Sequence, residues 1–526
     1  MTMKDCAARV MCVFSVTMIV VSCAGATTPE RVQSLQIRPN VVLIVLDDMN
    51  DYIGYMGGHP QTRTPNIDAL AAQSVVFTNA HANVPVCAPA RASMFSGIYA
   101  HNSKNYGFAK WFENPVLRNS KTIMEYFGEN GYDTLGVGKI MHHLKRDQWT
   151  TFGPGPDYGP VWFDGEKTTA HPSVPKPFSD IGTIDGSFAA MTPEFVVSGD
   201  ERFVGWYQGG WHNPRPMRYY SDDDRDRLPD EISADWAVQQ LDSRATNGID
   251  KPFFLAVGLI KPHAPLHVPQ KYFDRFPADN LQLPRLAEND KDDTYYHSHF
   301  DENFKGPRYY QTIKQSYADV DDGLRAWTRA YLAATNFVDE QVGKVIAAID
   351  RSPFKENTII VLTSDHGFTI GEKDFLFKNS LWESSTRVPL LIRLADGEHK
   401  LLAAPASHID LYPTLRDLAG LSGETRKNKQ GRKLDGTSLA VYIHRDDAEP
   451  PLYALTMIKA DTDSQQPEDM HYSLRSADYR YVRYASGDEE LYDHRVDPNE
   501  FDNLADDGDY DDVRREMAHA LMSYFR

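Results

Sequence analysis

Cysteine is nearly missing from this sequence: four occur in 526 residues, and three of them, Cys6, Cys12 and Cys23, fall at the very start. Only Cys87 is left for the body of the chain, so no disulfide framework holds it together. A surplus of positive charge is lacking too. With 55 Lys and Arg against 74 Asp and Glu the formal charge is −19, which argues against a nucleic-acid partner, because a phosphate backbone is met by a basic face. An anionic small substrate would need its cations concentrated in a pocket. Internal repeats and low-complexity tracts are also absent.

What is present is an ordinary globular balance, 41% hydrophobic and 25% charged, in a chain long enough for about two domains or one large domain with an appendage. Residues 1–26 carry Lys4 and Arg9, an apolar run from Val10 to Val21 and the small residues Ala24, Gly25 and Ala26. That pattern is a secretory signal, too short and wrongly flanked for a membrane span. Val20-Val21-Ser22-Cys23 also resembles a bacterial lipoprotein box, in which Cys23 would carry a lipid anchor. The expected location is therefore periplasmic, secreted or lipid-anchored at the outer membrane.

After Asn40 comes "VVLIVL", stopped by Asp47 and Asp48. A continuous apolar run of this length reads as a strand buried on both faces, hence a parallel sheet covered by helices. "TPNIDALAAQ" reads as a helix capped by Thr64 with Pro65 at its first position. Strand and helix then alternate: a helix closed by Gly131, a strand ending at Gly138-Lys139, a strand in "PFFLAVGLIKPHAP", a long helix near 327–350, and a strand in "NTIIVLTSDHG". This is the pattern of a doubly wound α/β domain, expected over 37–433. Insertions near 150–230 and 289–308 are expected to be surface loops, some of which form a substrate rim. There Trp206, Tyr207, Trp211, Tyr219 and Tyr220 would stack on sugar faces, and His212, Arg215 and Arg218 would bind a carboxylate or a second sulfate. Residues 434–526 alternate apolar and polar around Gly487 and end in a helix, which suggests a smaller α+β subdomain with an antiparallel sheet.

Charged residues collect where the apolar runs stop. Asp47-Asp48 and Asp365-His366 end two strands far apart in sequence. Adjacent carboxylates repel unless a cation neutralises them, so facing pairs would suit a hard divalent ion. The nitrogen of His366 leaves calcium, magnesium and manganese open. Arg91, Lys139, His142, His263 and Lys378 occupy similar loops and together would form a positive pocket for a small tetrahedral anion.

These residues resemble the type I, formylglycine-dependent sulfatases of the alkaline-phosphatase superfamily. Cys87-Ala88-Pro89-Ala90-Arg91 is similar to the family's C-x-P-x-R signature, with Ala90 where many members carry Ser. "NVVLIVLDDM", "GVGKIMHH", "KPHAPLHVP", "LTSDHGFTIGEKDFLFK" and "ELYDHRVDPNEFDNLA" match family blocks in order. Within the family, Asp365-His366 and the "KPHAP" loop look closest to iduronate-2-sulfatase and its bacterial relatives. The resemblance implies a large mixed, mostly parallel sheet between helices, with a C-terminal antiparallel sheet. It implies that Cys87 is converted to formylglycine (3-oxoalanine) by a formylglycine-generating enzyme. One Ca2+ would be held by Asp47, Asp48, Asp365, His366 and the modified Cys87. Arg91 would steady the modified residue, Lys139 and Lys378 would grip sulfate oxygens, and His263 and Lys378 would assist the leaving oxygen. His142 would take a proton so that sulfate is released from the hydrate. Glu383 and Arg387, in the same matched block, read as a structural ion pair. The expected activity is removal of O-sulfate from a sulfated carbohydrate. Phosphonate or phosphate ester hydrolysis, choline-type sulfatase activity and an inactive glycan-binding relative are the competing readings.

Overall fold

The run after Asn40 forms β1 (Asn40–Asp47), and all eight of its residues are buried. The structure, a computed structural model, describes residues 38–193, 203–210, 214–295, 303–445 and 447–525. The leader and the candidate residues Trp211 and His212 lie outside them. β1 sits near the middle of an eight-stranded sheet. Its order is β8 (Lys400–Leu402), β2 (Val75–Phe77), β7 (Leu390–Arg393), β6 (Thr358–Ser364), β1, β5 (Phe253–Pro262), β3 (Asp133–Gly138) and β4 (Thr151–Phe152). β7 runs antiparallel to both β6 and β2, and the other pairings are parallel.

Successive residues of β1 serve different cores, which is why its sequence shows no alternation. Val41, Leu43 and Val45 pack on the side of α2 (Cys87–Ser96) and α3 (Ile123–Glu129). Val42, Ile44 and Leu46 pack on the side of α1 (Pro65–Ala71), α4 (Pro229–Thr246) and α5 (Val320–Asp350). Among the described residues no helix is long and apolar enough to cross a membrane.

Thr64 does precede α1, but its hydroxyl does not cap the helix. It accepts from Gly54 N at 2.8 Å, while the amides of Asn66 and Ile67 donate to the Asp339 carboxylate of α5 at 3.1 and 2.8 Å. A buried carboxylate at the helix's positive end satisfies two amides that a Thr hydroxyl would have shared.

The first insertion departs from the surface-loop expectation. Short strands Val161–Phe163, Thr168–Thr169, Gly205–Gln208 and Arg215–Pro216 form a sheet of their own, and Phe188–Met191 pairs with Leu266–Pro269. Its aromatics join Trp327 and Tyr331 of α5 in a hydrophobic core. The C-terminal strands β9 (Ala454–Ile458), β10 (His471–Arg475), β11 (Tyr479–Arg483) and β12 (Glu489–Asp493) form an antiparallel meander. Helix α6 (Asp511–Ser523) follows. β9 is tied to the segment ahead of Cys87: Met457 N donates to Asn83 O at 2.8 Å, and Asn83 Nδ2 donates to Leu455 O at 3.0 Å. Both sheets belong to one compact unit, Arg38–Arg526.

Candidate active site

Four parallel-sheet ends and one helix end converge. β1 delivers Asp47 and, one residue past the strand, Asp48. Asp48 has φ 63, and this left-handed turn takes the chain out of the sheet. Its amide donates to Asp365 Oδ1 at 3.2 Å and Met49 N donates to Ser364 Oγ at 2.9 Å, which fastens the end of β1 to that of β6. Next to β6 stand Asp365 and His366; beyond β3 comes Lys139. A side chain at Gly138, which has φ 73, would put its Cβ 2.0 Å from Gly258 O, so β3 and β5 approach too closely there for anything but glycine. From the end of β5 comes His263, whose loop is held by Asp230 accepting from Ile260 N and Lys261 N at 2.7 and 2.9 Å.

Cys87 is the first residue of α2, where unpaired amides make a positive helix end. One turn on, Arg91 points under the site with 0% exposure. Its Nε donates to Asp365 Oδ2 at 2.8 Å, and its Nη2 lies 3.4 Å from Asp47 Oδ1. Lys139 pairs with Asp47. Lys378 donates to Asp48 Oδ1 at 2.7 Å and to Cys87 Sγ at 3.1 Å, and His366 Nε2 stands 3.3 Å from the same sulfur. His263 Nε2 lies 3.8 Å from Asp48 Oδ2.

Electrostatics follow from burial and these neighbours. Burial alone would raise Asp47, but Lys139, His263, Arg91 and Lys378 together hold its carboxyl well below the usual range. Asp48 is pushed up to about 7 by burial, with Lys378 opposing. Burial disfavours charge on Lys378 as well, yet Asp48 and Cys87 raise it well above a free lysine. Burial and Lys378 push His263 well down, and burial, Lys139 and His143 push His142 down to about 4. Burial also pushes the Cys87 thiol up.

Donor atoms of Asp47, Cys87, Asp365 and His366 lie within 4.8 Å of one another. Asp47 Oδ1 is buried and accepts no hydrogen bond. Arg91 Nη2 is 3.4 Å from it, and a buried carboxylate oxygen with no hydrogen bond beside a second carboxylate and an imidazole fits a divalent cation.

Of this cluster Cys87 opens into a cavity of about 740 Å³, lined also by Lys139, His142, Tyr158, His263 and Lys378, with Phe108, Lys110, Asp185, Lys305 and Phe377 among the other wall residues. Sequence reasoning missed Tyr158, which packs on Lys139 at 4.9 Å and on His263 at 5.0 Å. It also missed Phe108, 57% exposed and edge-on to His142 at 5.1 Å. Asp185, paired to Lys305 at 2.9 Å, carried no signal either, since the two stand 120 residues apart.

The metal-site and catalytic candidates thus come together in one cluster, of which Cys87, Lys139, His142, His263 and Lys378 line the cavity, whereas none of the described sugar-binding candidates lines it. Trp206 is 0% exposed: it stacks on His171 at 5.2 Å and donates through Nε1 to Thr192 O at 3.2 Å. Its ring is core and cannot stack on a sugar. Tyr219 is 1% exposed and is core for the same reason, and Tyr207 stacks on Phe163 at 4.5 Å. Arg218 is spent on Asp224 and Asp226 at the surface, and Arg215 is exposed on its short strand. Neither arginine lines the cavity. Glu383 lies 3.8 Å from Arg387, but its closer partners are Arg480 and, at 3.3 Å, Arg475 of the C-terminal sheet.

Comparison with known proteins places this site in context. The family model described as Sulfatase matches residues 39–421, and the model of the N-sulphoglucosamine sulphohydrolase C-terminal region matches residues 371–525. A "Sulfatase" of Formosa agariphila is 31% identical over 492 residues, covering 90% of this chain and 85% of that protein. Mouse iduronate 2-sulfatase is 28% identical over 518 residues, covering 88% and 86%. Among solved structures, the phosphonate monoester hydrolase of Agrobacterium radiobacter superposes with a TM-score of 0.64 at 23% identity, covering 92% of this chain and 95% of that one. This likeness shows the alkaline-phosphatase-like fold.

Proposed function

This chain belongs to the sulfatase family, and from that premise we propose that it removes O-sulfate from a sulfated carbohydrate, with formylglycine made from Cys87 as the nucleophile. The observation that carries the reading is the seat of Cys87. It heads a helix, with Lys378 3.1 Å and His366 3.3 Å from its sulfur, on the floor of a cavity ringed by cations. The sulfur stands in for the oxygens of the matured residue.

Formylglycine supplies geminal hydroxyls, one to attack sulfur and one to lose a proton. Asp47, Asp48, Asp365 and His366 would hold a divalent cation, read as calcium, which supplies Lewis-acid polarisation at the sulfate and at the modified residue. The remaining work falls to this chain's own groups. Lys139 and Lys378 bind sulfate oxygens, on which charge spreads in the transition state. Arg91, locked by Asp365 and by Leu46 O and Ile140 O, fixes α2 against the strand ends.

The leaving oxygen needs a proton, and the geometry favours one donor. His263 Nδ1 faces Ala264 O, which can only accept, so Nδ1 carries the hydrogen and Nε2 is bare while the ring is neutral. With its pKa pushed well down, His263 is neutral at working pH and has no proton to give from that face. Lys378, held charged by Asp48, is the acid. His142 is neutral above about pH 4 and its Nδ1 is buried without a partner, which suits it to accept a proton.

A carbohydrate is favoured over a small ester because the cavity, about 740 Å³, exceeds what a sulfate needs and carries both rings and cations on its walls. Mouse iduronate 2-sulfatase, similar over most of both chains, supports a sulfated uronate. Export follows from the leader, with periplasmic, secreted and lipid-anchored forms separable by cell fractionation and by mass of the mature N-terminus.

The test is free sulfate release by protein co-produced with a formylglycine-generating enzyme. A 2-O-sulfated uronate disaccharide, a 6-O-sulfated hexosamine, an aryl sulfate and a phosphonate monoester are compared. Release from the uronate supports the reading; turnover of the phosphonate alone overturns it.

A further inference from the structure

Before maturation residue 87 is a thiol, and the donors around it have a chemical character different from an oxygen-rich calcium site. Cys87 Sγ lies 3.3 Å from His366 Nε2. That nitrogen lies 3.5 Å from Asp48 Oδ1 and 3.6 Å from Asp365 Oδ1. Zinc bonds of about 2.3 Å to sulfur and about 2.0 to 2.2 Å to nitrogen and oxygen, at tetrahedral angles, put nitrogen and oxygen donors about 3.3 to 3.6 Å apart and sulfur about 3.5 to 3.7 Å from them. Around His366 Nε2 the nitrogen–oxygen separations match such an ion, the sulfur stands slightly closer than a bound thiolate would, and Asp47 lies within 4.8 Å of the other donors.

His366 is also set in the competent tautomer. Its Nδ1 lies 2.9 Å from Gly367 O, an acceptor only, so the hydrogen sits on Nδ1 and the Nε2 lone pair faces the cluster. This is the backbone support that metal-binding histidines ordinarily have. A second, independent feature points the same way. Asp47 Oδ1, on a side chain with 0% exposure, accepts no hydrogen bond, with Arg91 Nη2 3.4 Å away, and Asp47 is within the same 4.8 Å group as Cys87, Asp365 and His366.

Charge favours a divalent ion more with a thiolate than without one. Asp47, Asp48 and Asp365 face Arg91, Lys139 and Lys378, three carboxylates against three cations. A thiolate would add a negative charge that this set does not neutralise. Thiolate and imidazole donors select zinc, whereas calcium selects oxygens.

We propose that the unmatured chain holds a thiophilic divalent ion, zinc first, on Cys87, His366, Asp47 and Asp365, and that converting Cys87 to formylglycine removes the soft donor and gives the site to a hard ion. The first half concerns the thiol form alone; the second rests on the maturation proposed above. Immature and mature protein would then differ in metal content as well as in the side chain at position 87.

The experiment uses the full chain produced without the maturing enzyme, its Cys87 verified by mass, stripped with a chelator and titrated with zinc, cobalt and calcium. One equivalent of zinc is expected to bind, and the cobalt form should show thiolate-to-cobalt charge-transfer absorption in the near ultraviolet with the strong visible bands of a tetrahedral site. Cys87→Ser should lose the charge-transfer band and weaken zinc by more than the roughly 100-fold upper cost of losing an outer-shell partner, while its melting curve and calcium binding persist. His366→Gln, which leaves the sulfur in place, should weaken zinc while retaining that band. Unchanged zinc affinity in Cys87→Ser, or no charge-transfer band in the unsubstituted chain, overturns the proposal and would direct attention to Glu383, His494 and Glu500, the other described cluster without Cys87. Sulfate release by the matured protein is read separately. Release without zinc binding to the thiol form sinks the metal proposal alone, and zinc binding without release sinks the sulfatase reading alone.

Discussion

Lys378 Nζ reaches both Cys87 Sγ, at 3.1 Å, and Asp48 Oδ1, at 2.7 Å, across separations of 291 and 330 residues. One ammonium therefore touches both the proposed nucleophile's precursor and a carboxylate of the proposed metal site. Lys378→Met keeps the length of the side chain and removes the charge. It should lower kcat about 10²- to 10³-fold, the usual cost of losing one preorganised donor. Sulfate release under saturating substrate measures it, and an unchanged kcat would leave the leaving oxygen's proton to another group.

The pH profile tests His142. Burial, Lys139 and His143 push its pKa down to about 4, so as a base it is ready above that pH and lost as pH falls through it. The acidic limb assigned to it should lie near 4, about 2.5 units below a free imidazole. In the His142→Gln variant that limb should vanish together with most of the activity. An acidic limb near 6.5 in the parent enzyme would mean the imidazole is solvated when substrate is bound.

Two aromatic substitutions separate packing from recognition. Trp206→Ala opens a cavity in the core of the first insertion and should cost about 3–5 kcal/mol of stability, read by chemical denaturation. Phe108→Ala removes an exposed ring from the cavity wall and should raise KM about 2- to 10-fold with kcat nearly kept. The opposite pattern, a KM effect for Trp206 and a stability effect for Phe108, would restore the sugar-stacking role read from the sequence.

Stability should also fall in mild acid, with His101 a named contributor. It is 2% exposed, stacked on Tyr99 at 5.0 Å and flanked by Tyr472 and Phe525. Burial pushes it down to about 4. An unfolded chain binds this proton below about 6.5 while the folded one waits until about 4. The contribution is therefore complete above pH 6.5 and lost as pH falls towards 4, at most about 3 kcal/mol. Melting temperatures of the parent and of His101→Phe across that window check it. The variant should show a shallower decline, and parallel curves would remove His101 from the account.

Much of the sheet and of its reactive edge was legible in the sequence, for a physical reason. Strands buried on both faces have little room for polar residues along their length, so Asp47, Lys139, Lys261 and Asp365 stand out as the first charged side chains after apolar runs, with His263 two residues past Lys261. Each strand reports its own end, and C-A-P-A-R reports the helix that faces them. What the sequence determined by itself was therefore the set of reactive groups and the kind of scaffold that aligns them.

Tertiary structure alone decided what surrounds that set. Trp206 became core because Trp162, His171 and His267 close around it from other segments. Tyr158 and the Asp185–Lys305 pair became cavity walls only where the insertions fold back over the strand ends, and Phe108 where the segment after α2 meets them. The cap of α1 passed from Thr64 to Asp339, 273 residues away from Asn66. Local pattern records what a segment buries, but which distant surface it is buried against is settled only when the whole chain has packed.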